Sequence, residues 1–450
     1  MTAFSFVTRH VFAWCVFYLV ALLVWTSFGL PEFPMLGREV YSTGIIATGG
    51  AMYITAVAAK RLGVRAAWAG CFGSDYYSQY VRELAEGEGV DLSLSPDRVA
   101  SVLEEAGITF AFASLFHSGF KNAGLKAAAL GGGHGLFNTL TALRYLTADL
   151  TAVVTVADDG GSSGRIRAEL GQIPPGDLRM ALAALMGAPT AVKDLRRDDP
   201  AAADRHARWA QLLQHRFGGY GALAGHPIGN LLLSGVAEIT GDMVSALDEL
   251  MDLFGVDGRV LPMADVPLVI EADVSGLESD PRVSRVIRGQ VAVATTPGKP
   301  RRVRLIPDAP DACPAAVAAI RAADVVTLGP GSWFSSVIPH VLVPEQVAAL
   351  RETSARKMLF VNLQAEPGET TGYSVERHLH VLHAHASTLQ FDDVVVDASS
   401  VPAGREREYL ERAADRFGAT LRVAELAVPG TGVHDPAKTA ATVVGLLNSK

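Results

Sequence analysis

The chain has 450 residues, a formal charge of −8, 49% hydrophobic residues and only 19% charged residues. This balance excludes a disordered chain, which lacks the apolar surface needed to offset its conformational entropy. The acidic charge argues against a nucleic-acid partner, because such binding depends on surplus Lys and Arg. Three scattered cysteines, Cys15, Cys71 and Cys313, form neither a disulfide framework nor a zinc pair and indicate a reducing compartment.

The first 33 residues contain an apolar segment. Residues 11–30 carry no charge, and a helix of about 20 residues is long enough to span a bilayer. A buried helix and a wrongly assigned start codon are the alternatives. We therefore expect a hydrophobic helix in residues 1–33 that could tether the protein to a membrane.

Residues 34–125 have a pattern of their own, which ends in a linker. The turn Gly49-Gly50, the helix after it and the strand VRAAWAGCFG resemble the opening of ribokinase-type (PfkB) sugar kinases. However, Ile54 stands where that family usually has a substrate-binding Asn, and no D-T-x-G-A-G-D motif follows. Phosphoryl transfer would then lack its base and its backbone cradle. The segment is interpreted as a kinase-like fragment without kinase activity.

Residues 126–450 alternate between apolar strands and helices. Short buried-type strands are predicted at 126–130 and in LTAVVTVA, DVVTL, RKMLFVNL and DDVVVDAS, with helical patterns beside them. This alternation predicts an α/β fold with a Rossmann-like, doubly wound parallel sheet. The segments RVLPM, PLVIEADV, QVAVATT and RRVRLIP predict a small strand-rich insertion. Residues 191–209, charged and Ala-rich, predict an exposed helix or loop.

A glycine-rich turn follows the first of these strands. In open α/β sheets, ligands bind at the carboxyl ends of the strands. Glycines let a backbone approach a phosphate, and the next helix offers its positive N-terminus. The turn predicts contact with a phosphate or a nucleotide, or else a plain tight turn. Its residues are Gly131, Gly132, Gly133, His134 and Gly135.

A second loop follows LTAVVTVA and begins with two acidic residues. Asp158 lies where Rossmann-like proteins place a ribose-binding acid, and Asp158 with Asp159 could instead hold Mg²⁺ against a diphosphate. Arg165 could bind a phosphate in bidentate fashion. A solvated loop is the alternative. Between the acids and the Arg lie Gly160, Gly161, Ser162, Ser163 and Gly164.

A third loop, Gly329-Pro330-Gly331-Ser332, predicts another nest of backbone N–H groups for an anion, to which Ser335 and Ser336 add hydroxyls. Two helix starts add candidates. Asp177 is predicted as the N-cap of LRMALAALM or as a ligand-binding acid. His226 and Asn230 suit a base or ribose contact, although a structural histidine is the alternative.

Three further segments are weaker. Residues 366–370 follow a strand end and form either a pocket rim or a capping loop. The histidines at 378, 380, 383 and 385 are interpreted as a solvated helix face, since no Cys or carboxylate completes a zinc set. The basic residues of one predicted hairpin are ordinary surface or a contact for an anionic partner: Lys299, Arg301, Arg302 and Arg304.

Together these segments resemble the YvcK/CofD-like family of gluconeogenesis factors. The resemblance rests on LGGGHG (130–135), VVTVADDGGSSGRIRAELGQIPPGDLRMAL (153–182), GHPIGNLLLSG (225–235), GRVLPM (258–263), TLGPGSWFSSVIP (327–339) and NLQAEPGETTGYS (362–374). It implies a Rossmann-like fold over residues 126–450, a cytoplasmic location and a role in cell shape and cell-wall synthesis on gluconeogenic carbon sources. It also implies a nucleotide-sugar ligand, with UDP-N-acetylglucosamine the leading candidate.

By the same resemblance, the nucleotide pocket is implied to comprise Gly131, Gly132, Gly133, Asp158, Asp159, Asp177, His226, Asn230, Gly329, Gly331 and Ser332. Two functions remain open. The first is a regulatory protein without turnover, which binds a nucleotide sugar, acts on a partner protein and forms a homo-oligomer. The second is a CofD-type 2-phospho-L-lactate transferase, in which Asp158, Asp159 and Asp177 would hold Mg²⁺. The small residues after Asp159 favour the first, because they offer a flavin-like acceptor no stacking surface.

Overall fold

The computed structural model describes residues 124–187 and 200–448, apart from positions 281, 367–368, 402–403 and 429. The apolar segment 11–30 and residues 34–123 of the kinase-like fragment lie outside the described residues, so the membrane tether stays a prediction. Among the described helices, none combines the length and the apolar composition that a bilayer-spanning segment needs.

A parallel sheet forms the centre of the described part. Its strands follow the order β10-β9-β8-β7-β1-β2-β3, and every neighbouring pair is parallel. Apart from the unexpected β10, this confirms the doubly wound, Rossmann-like prediction. In chain order, the strands are β1 (Lys126–Gly131), β2 (Asp149–Val154), β3 (Arg259–Pro262), β4 (Val269–Ser275), β5 (Ser284–Arg288), β6 (Lys299–Ile306), β7 (Val325–Leu328), β8 (Arg356–Phe360), β9 (Asp393–Asp397) and β10 (Thr420–Ala424).

Helices cover both faces of the sheet. The helices are α1 (Gly133–Leu143), α2 (Gly161–Leu170), α3 (Gly176–Gly187), α4 (Pro200–Gln214), α5 (Ile228–Thr240), α6 (Met243–Phe254), α7 (Gln290–Ala294), α8 (Pro314–Ala322), α9 (Pro344–Glu352), α10 (Val375–His385), α11 (Arg405–Asp415) and α12 (Pro436–Asn448). Helices α1 and α3 pack together on β1, β2 and β3, whereas α8 contacts the same strands and pairs with α9.

The core lies between these layers. The strands nearest the centre are buried on both faces, as in β7, where all four side chains are shielded from solvent. Such strands are continuous apolar runs, because helices cover both sides of a parallel sheet. Leu130 and Val153 of adjacent strands and Leu140 of α1 are among the fully buried side chains. The core therefore fixes the strand ends from which the polar loops emerge.

The predicted strand-rich insertion is partly wrong. RVLP is β3, the edge strand of the main sheet, because its buried side chains fit a parallel strand beside β2. QVAVA forms helix α7 instead of a strand, and the Asp159 carboxylate accepts hydrogen bonds from its first N–H groups. The remaining insertion is a three-stranded antiparallel sheet in the order β5-β4-β6. We did not predict the exposed strand β5, because a run of five residues is too short to show the alternating pattern of a strand clearly.

Helix α4 accounts for residues 200–209 of the segment predicted as an exposed helix or loop, and residues 191–199 lie outside the described part. One face of α4 is buried through Leu213, and His206 hydrogen-bonds the Phe254 carbonyl at 2.6 Å. We did not expect the last strand β10 or the helices α11 and α12. Their sequences mix charged and apolar residues, and α11 is mostly exposed.

The first turn of α1 lies against the turn after β7, and a glycine permits this approach. A Cβ added at Gly135 would overlap the backbone carbonyl of Pro330. Gly135→Ala should therefore lower the free energy of unfolding by about 1–3 kcal/mol, the usual cost of overpacking. Gly235→Ala in α5 is the matched control, because no atom lies within 4 Å of its added Cβ. Thermal unfolding of the full chain measures both, and equal midpoints would contradict the close approach.

Candidate functional site

The carboxyl ends of β1 and β7 enclose a small pocket. These strands are neighbours, and the strand order reverses between them, which is where open α/β sheets bind ligands. The pocket has a volume of about 220 Å³ and lies between residues 132–135, which follow β1 and include the first turn of α1, and the turn after β7. The second turn contributes Gly331, Ser332, Ser335 and Ser336, and the wall is completed by Thr155, Asp158, Asp177, Gln290 and Glu366.

Two larger hollows lie elsewhere on the surface. One, of about 680 Å³, is lined mainly by α8 and α9, and the other, of about 500 Å³, by β10 and α12. Both are open surface depressions away from the ends of β1 and β7. We place the candidate site in the smaller pocket because polar groups from several strand ends converge there.

The turn after β1 depends on Gly132. A Cβ at this position would overlap the Thr155 side chain and come 2.6 Å from Asp177 Oδ2 and 3.0 Å from Ser336 Oγ. Glycine therefore keeps the pocket open by letting three polar groups approach the backbone. His134, the next side chain on this turn, is exposed at the pocket wall.

The turn after β7 is held by an amide side chain that we did not predict. Asn362, just after β8, accepts a hydrogen bond from Gly331 N at 2.9 Å and donates to Gly331 O at 2.8 Å. Gly331 has φ +147°, a conformation that favours glycine. Asn362 is 8% exposed, so these two hydrogen bonds lie in the protein interior. A polar residue immediately after a strand was the only sequence signal for it.

Asp158 and Asp177 form the acidic side of the pocket. Asp158 follows β2, and its Oδ1 accepts a hydrogen bond from Gly160 N at 2.9 Å. Helix α3 begins at Gly176, so Asp177 lies in the first turn of the helix and is not the N-cap that we predicted. Burial, with the nearby Asp158 charge, raises the pKa of Asp177 to about 7, although Gly133 N–H and Arg179 act in the opposite direction.

Helix α2 begins at Gly161, within the segment that we expected to be a loop. Buried Ser162 therefore lies in its first turn, where its Oγ is 2.7 Å from His226 Nδ1 and accepts a hydrogen bond from Asn230 Nδ2 at 3.0 Å. Burial lowers the pKa of His226, which favours the neutral ring. The three side chains join the N-termini of α2 and α5 outside the pocket wall.

The other residues of this segment also bind protein groups. Arg165 donates to the carbonyls of Ala222 at 3.2 Å and Ala224 at 2.7 Å, in the loop before α5. Ser163 is buried, and its hydroxyl occupies the space that a Cβ at Gly176 would need. These contacts tie α2 to its neighbours.

The structure thus divides the predicted site residues into two sets. Those in the pocket wall are Gly132, Gly133, His134, Asp158, Asp177, Gly331 and Ser332. Those outside the wall are Gly131, Asp159, Ser162, Ser163, Arg165, His226, Asn230 and Gly329. Gly131 and Gly329 make contacts within the sheet, as Gly329 N donates to Leu130 O and Gly131 O accepts from Thr155 N.

Asp159 holds the antiparallel insertion in place. Its two carboxylate oxygens accept hydrogen bonds from Gln290 N and Val291 N, each at 2.9 Å. Gln290 consequently reaches the pocket wall. Because residues 290 and 159 are far apart in the chain, the sequence offered no signal for Gln290 as a site residue.

A pair of glutamates lies beside the turn after β7. Ser332 Oγ donates to Glu366 Oε2 at 2.9 Å, and Phe334 N donates to Glu369 Oε1 at 3.0 Å. Burial, and the proximity of Glu366, raise the pKa of Glu369 well above its usual value. Glu366 itself lines the pocket, as the rim interpretation of residues 366–370 predicts.

A magnesium ion in this pocket would have few protein ligands. The described residues contain no group of three or more His, Cys, Asp or Glu side chains arranged around a metal position. Asp158 and Asp177 could hold Mg²⁺ if water and a ligand phosphate completed its octahedral shell, which is common for this ion. These two carboxylates therefore fit Mg²⁺ only if water and a ligand phosphate supply the other ligands.

The weaker candidates are occupied by protein contacts. The prediction of a solvated histidine face is wrong for His378, which is buried and lies 2.8 Å from the carbonyl of Ser374, just before α10. His385 lies 2.8 Å from the carbonyl of Val381, and His380 pairs with Glu376. In the basic strand β6, Arg304 forms ion pairs with Glu271 at 2.9 Å and Asp273 at 2.8 Å. The charge of this arginine is thus balanced within the insertion.

Comparison with known proteins gives consistent matches. A family model described as 2-phospho-L-lactate transferase CofD matches residues 128–428. A Mycobacterium tuberculosis protein named "Putative gluconeogenesis factor" is 62% identical over 319 residues, covering 71% of this chain and 89% of that protein. The "Gluconeogenesis factor" of Bacillus subtilis is 36% identical over 284 residues, covering 63% of this chain and 82% of that protein.

A solved structure is also similar. The crystal structure of a UPF0052 family member from Bacillus halodurans has a TM-score of 0.60 and 31% identity to this chain. The match covers 71% of this chain and 98% of that one. The match to the Mycobacterium tuberculosis protein covers the same share of this chain, 71%.

The raised pKa of Asp177 predicts how stability changes with pH. Its folded-state pKa, about 7, lies above the ordinary value of 3.8, so the ionised carboxylate destabilises the fold. This cost grows as the pH rises from about 4 to about 7 and is constant above. Asp177→Asn should therefore be more stable than wild type at pH 8 by about 2 kcal/mol, since pocket water screens part of the effect.

Urea unfolding of the full chain, with a chelator present, measures this difference between pH 4 and pH 8. The exposed Asp149 provides the control Asp149→Asn, which should change stability little at either pH. A stability gain in Asp177→Asn that does not vary with pH would contradict the raised pKa.

Proposed function

The chain belongs to the CofD/YvcK (UPF0052) family, and we propose that within it the protein is a regulatory gluconeogenesis factor that binds a nucleotide sugar of the UDP-N-acetylglucosamine type. Its cellular role would be in cell shape and cell-wall synthesis on gluconeogenic carbon sources. Ligand binding would change the affinity for a partner protein or the homo-oligomeric state, with no chemical turnover.

One observation carries this proposal. At the point where the strand order reverses, two glycine turns face each other across a pocket whose wall has hydroxyl, carboxylate and amide groups. Groups of this kind bind the many hydroxyls of a nucleotide sugar through directional hydrogen bonds. The names of the relatives support the gluconeogenic role, because two matched proteins carry that description.

The size of the pocket limits how such a ligand would bind. Ligand clefts usually enclose about 300–1,000 Å³, whereas this pocket measures about 220 Å³. Only one part of a nucleotide sugar would therefore enter it, and the rest would lie along the outer surface of the strand ends. The pocket is one subsite of the proposed binding site.

A 2-phospho-L-lactate transferase is the alternative function. The description of the matching family model and the Asp158–Asp177 pair favour it, because two carboxylates could hold Mg²⁺ against a diphosphate. The ion would neutralise the leaving diphosphate. However, no Phe, Tyr or Trp is among the described residues of the pocket wall, so these residues offer a flavin-like acceptor no stacking ring. This composition favours the regulatory proposal.

Binding of UDP-N-acetylglucosamine to the full chain by isothermal titration calorimetry tests the proposed function. Gly132→Ala should abolish binding, because its Cβ would fill the space between Asp177 and Ser336. Gly445→Ala in α12 is the matched control, since no atom lies within 4 Å of its Cβ, and it should bind normally. Thermal unfolding checks that each variant folds. No heat of binding to the wild type would refute the nucleotide-sugar proposal.

The transferase alternative predicts turnover. Incubation with a guanylyl-activated 2-phospho-lactate donor, the deazaflavin acceptor and Mg²⁺ should release no GMP if the protein is regulatory. If GMP appears and Asp158→Asn abolishes it, the alternative is correct. Chromatography of the nucleotides gives the answer directly, and Asp149→Asn serves as the control for substitution of an acid outside the pocket.

A further inference from the structure

The charge of the pocket wall is unusual for a phosphate site. Among the described residues of the wall, the ionisable acids are Asp158, Asp177 and Glu366, and none is a Lys or an Arg. The cations that act on Asp158 and Asp177 are the half-buried Arg167 and the buried Arg179. Arg167 donates to Leu268 O, and Arg179 donates to Gln214 and to Gly176 O, so both guanidinium groups serve protein acceptors.

Two backbone N–H groups on the β7 side of the pocket already have side-chain acceptors. Gly331 N donates to Asn362 at 2.9 Å, and Phe334 N donates to Glu369 at 3.0 Å. The Gly133 N–H lies close enough to the Asp177 carboxyl to lower its pKa, against the effect of burial. Protein side chains therefore occupy part of the anion positions in which we expected phosphates. A phosphate entering the pocket would meet the carboxylates of Asp158, Asp177 and Glu366.

A sugar ring, in contrast, carries hydroxyl groups that can both donate and accept hydrogen bonds. Sugar hydroxyls donate hydrogen bonds to carboxylates and accept them from serine hydroxyls. Ser332 Oγ donates to Glu366 Oε2 at 2.9 Å and Asn362 Nδ2 donates to Glu366 Oε1 at 3.5 Å, which orients the carboxylate. Each oxygen can accept a further hydrogen bond. Ser335, 5% exposed and part of the wall, has an Oγ without a hydrogen-bond partner.

We infer that this pocket is the sugar subsite of the nucleotide-sugar site: it takes the hydroxyl-bearing hexose ring, with Glu366 accepting from the ring hydroxyls and Ser335 hydrogen-bonding the ring. The nucleoside diphosphate lies outside the pocket, along the strand ends. This inference rests on the proposed function, and it reverses the expected placement of the phosphates. The volume of about 220 Å³ agrees with one ring and not with a whole nucleotide sugar.

Calorimetry on the full chain with UDP-N-acetylglucosamine and with UDP tests the assignment. Glu366→Gln keeps the shape of the side chain but replaces one acceptor oxygen by a donor. It should weaken binding of UDP-N-acetylglucosamine at least tenfold and change the affinity for UDP less than twofold. Glu411→Gln, on the exposed helix α11, is the matched control and should change neither affinity.

The opposite pattern overturns the sugar subsite. If Glu366→Gln strengthens UDP binding, the phosphates face Glu366, and if it weakens both ligands equally, the residue does not discriminate the sugar. UDP binding that requires Mg²⁺ and disappears in Glu366→Gln would mean that the acids hold a metal ion. If the wild type binds neither ligand, the proposed function fails together with this inference, which distinguishes that case from the others.

A second measurement uses only the wild type. In saturation-transfer NMR, protons deepest in a protein receive the most saturation. The sugar-ring and N-acetyl protons of UDP-N-acetylglucosamine should therefore receive more than the uracil protons. A uracil signal stronger than the sugar signals would overturn the assignment while leaving nucleotide-sugar binding intact.

Discussion

The close approach of two backbone turns is the constraint on which the rest of the site depends. Helix α1 starts so near the turn after β7 that Gly135 has no room for a side chain against Pro330 O. Asn362 fixes the same turn from the other side, through both the N–H and the carbonyl of Gly331. Because strands β1 and β7 are hydrogen-bonded neighbours, these contacts set the width of the pocket between them.

Several parts of this arrangement were predictable from the sequence. Apolar runs predicted most strands of the main sheet, and the glycine turns predicted which strand ends form the pocket. The contacts across the fold were not predictable. Asp159 meets Gln290, 131 positions away, and Asn362 meets Gly331 across 31 positions. Local patterns report periodicity and turn chemistry, whereas these pairs exist only once the sheet order is set.

The same limit explains the acidic residues. Asp158, Asp159 and Asp177 are similar as sequence features, yet their environments differ. Asp158 and Asp177 border the pocket, whereas Asp159 accepts hydrogen bonds from the first residues of α7. Glycine turns that could bind an anion already hold protein carboxylates and an amide. A motif therefore identifies where a ligand can approach, and the side chains packed behind it decide which chemical groups can bind there.

Asp158 and Asp159 have one further consequence, because they are adjacent. One borders the ligand pocket and the other carries the antiparallel sheet of β4, β5 and β6 through α7. Consecutive Cα atoms are only about 3.8 Å apart, so a shift of the backbone at one carboxylate moves the other. Two consecutive residues thus join the antiparallel insertion, with its exposed strand β5, to the wall of the pocket.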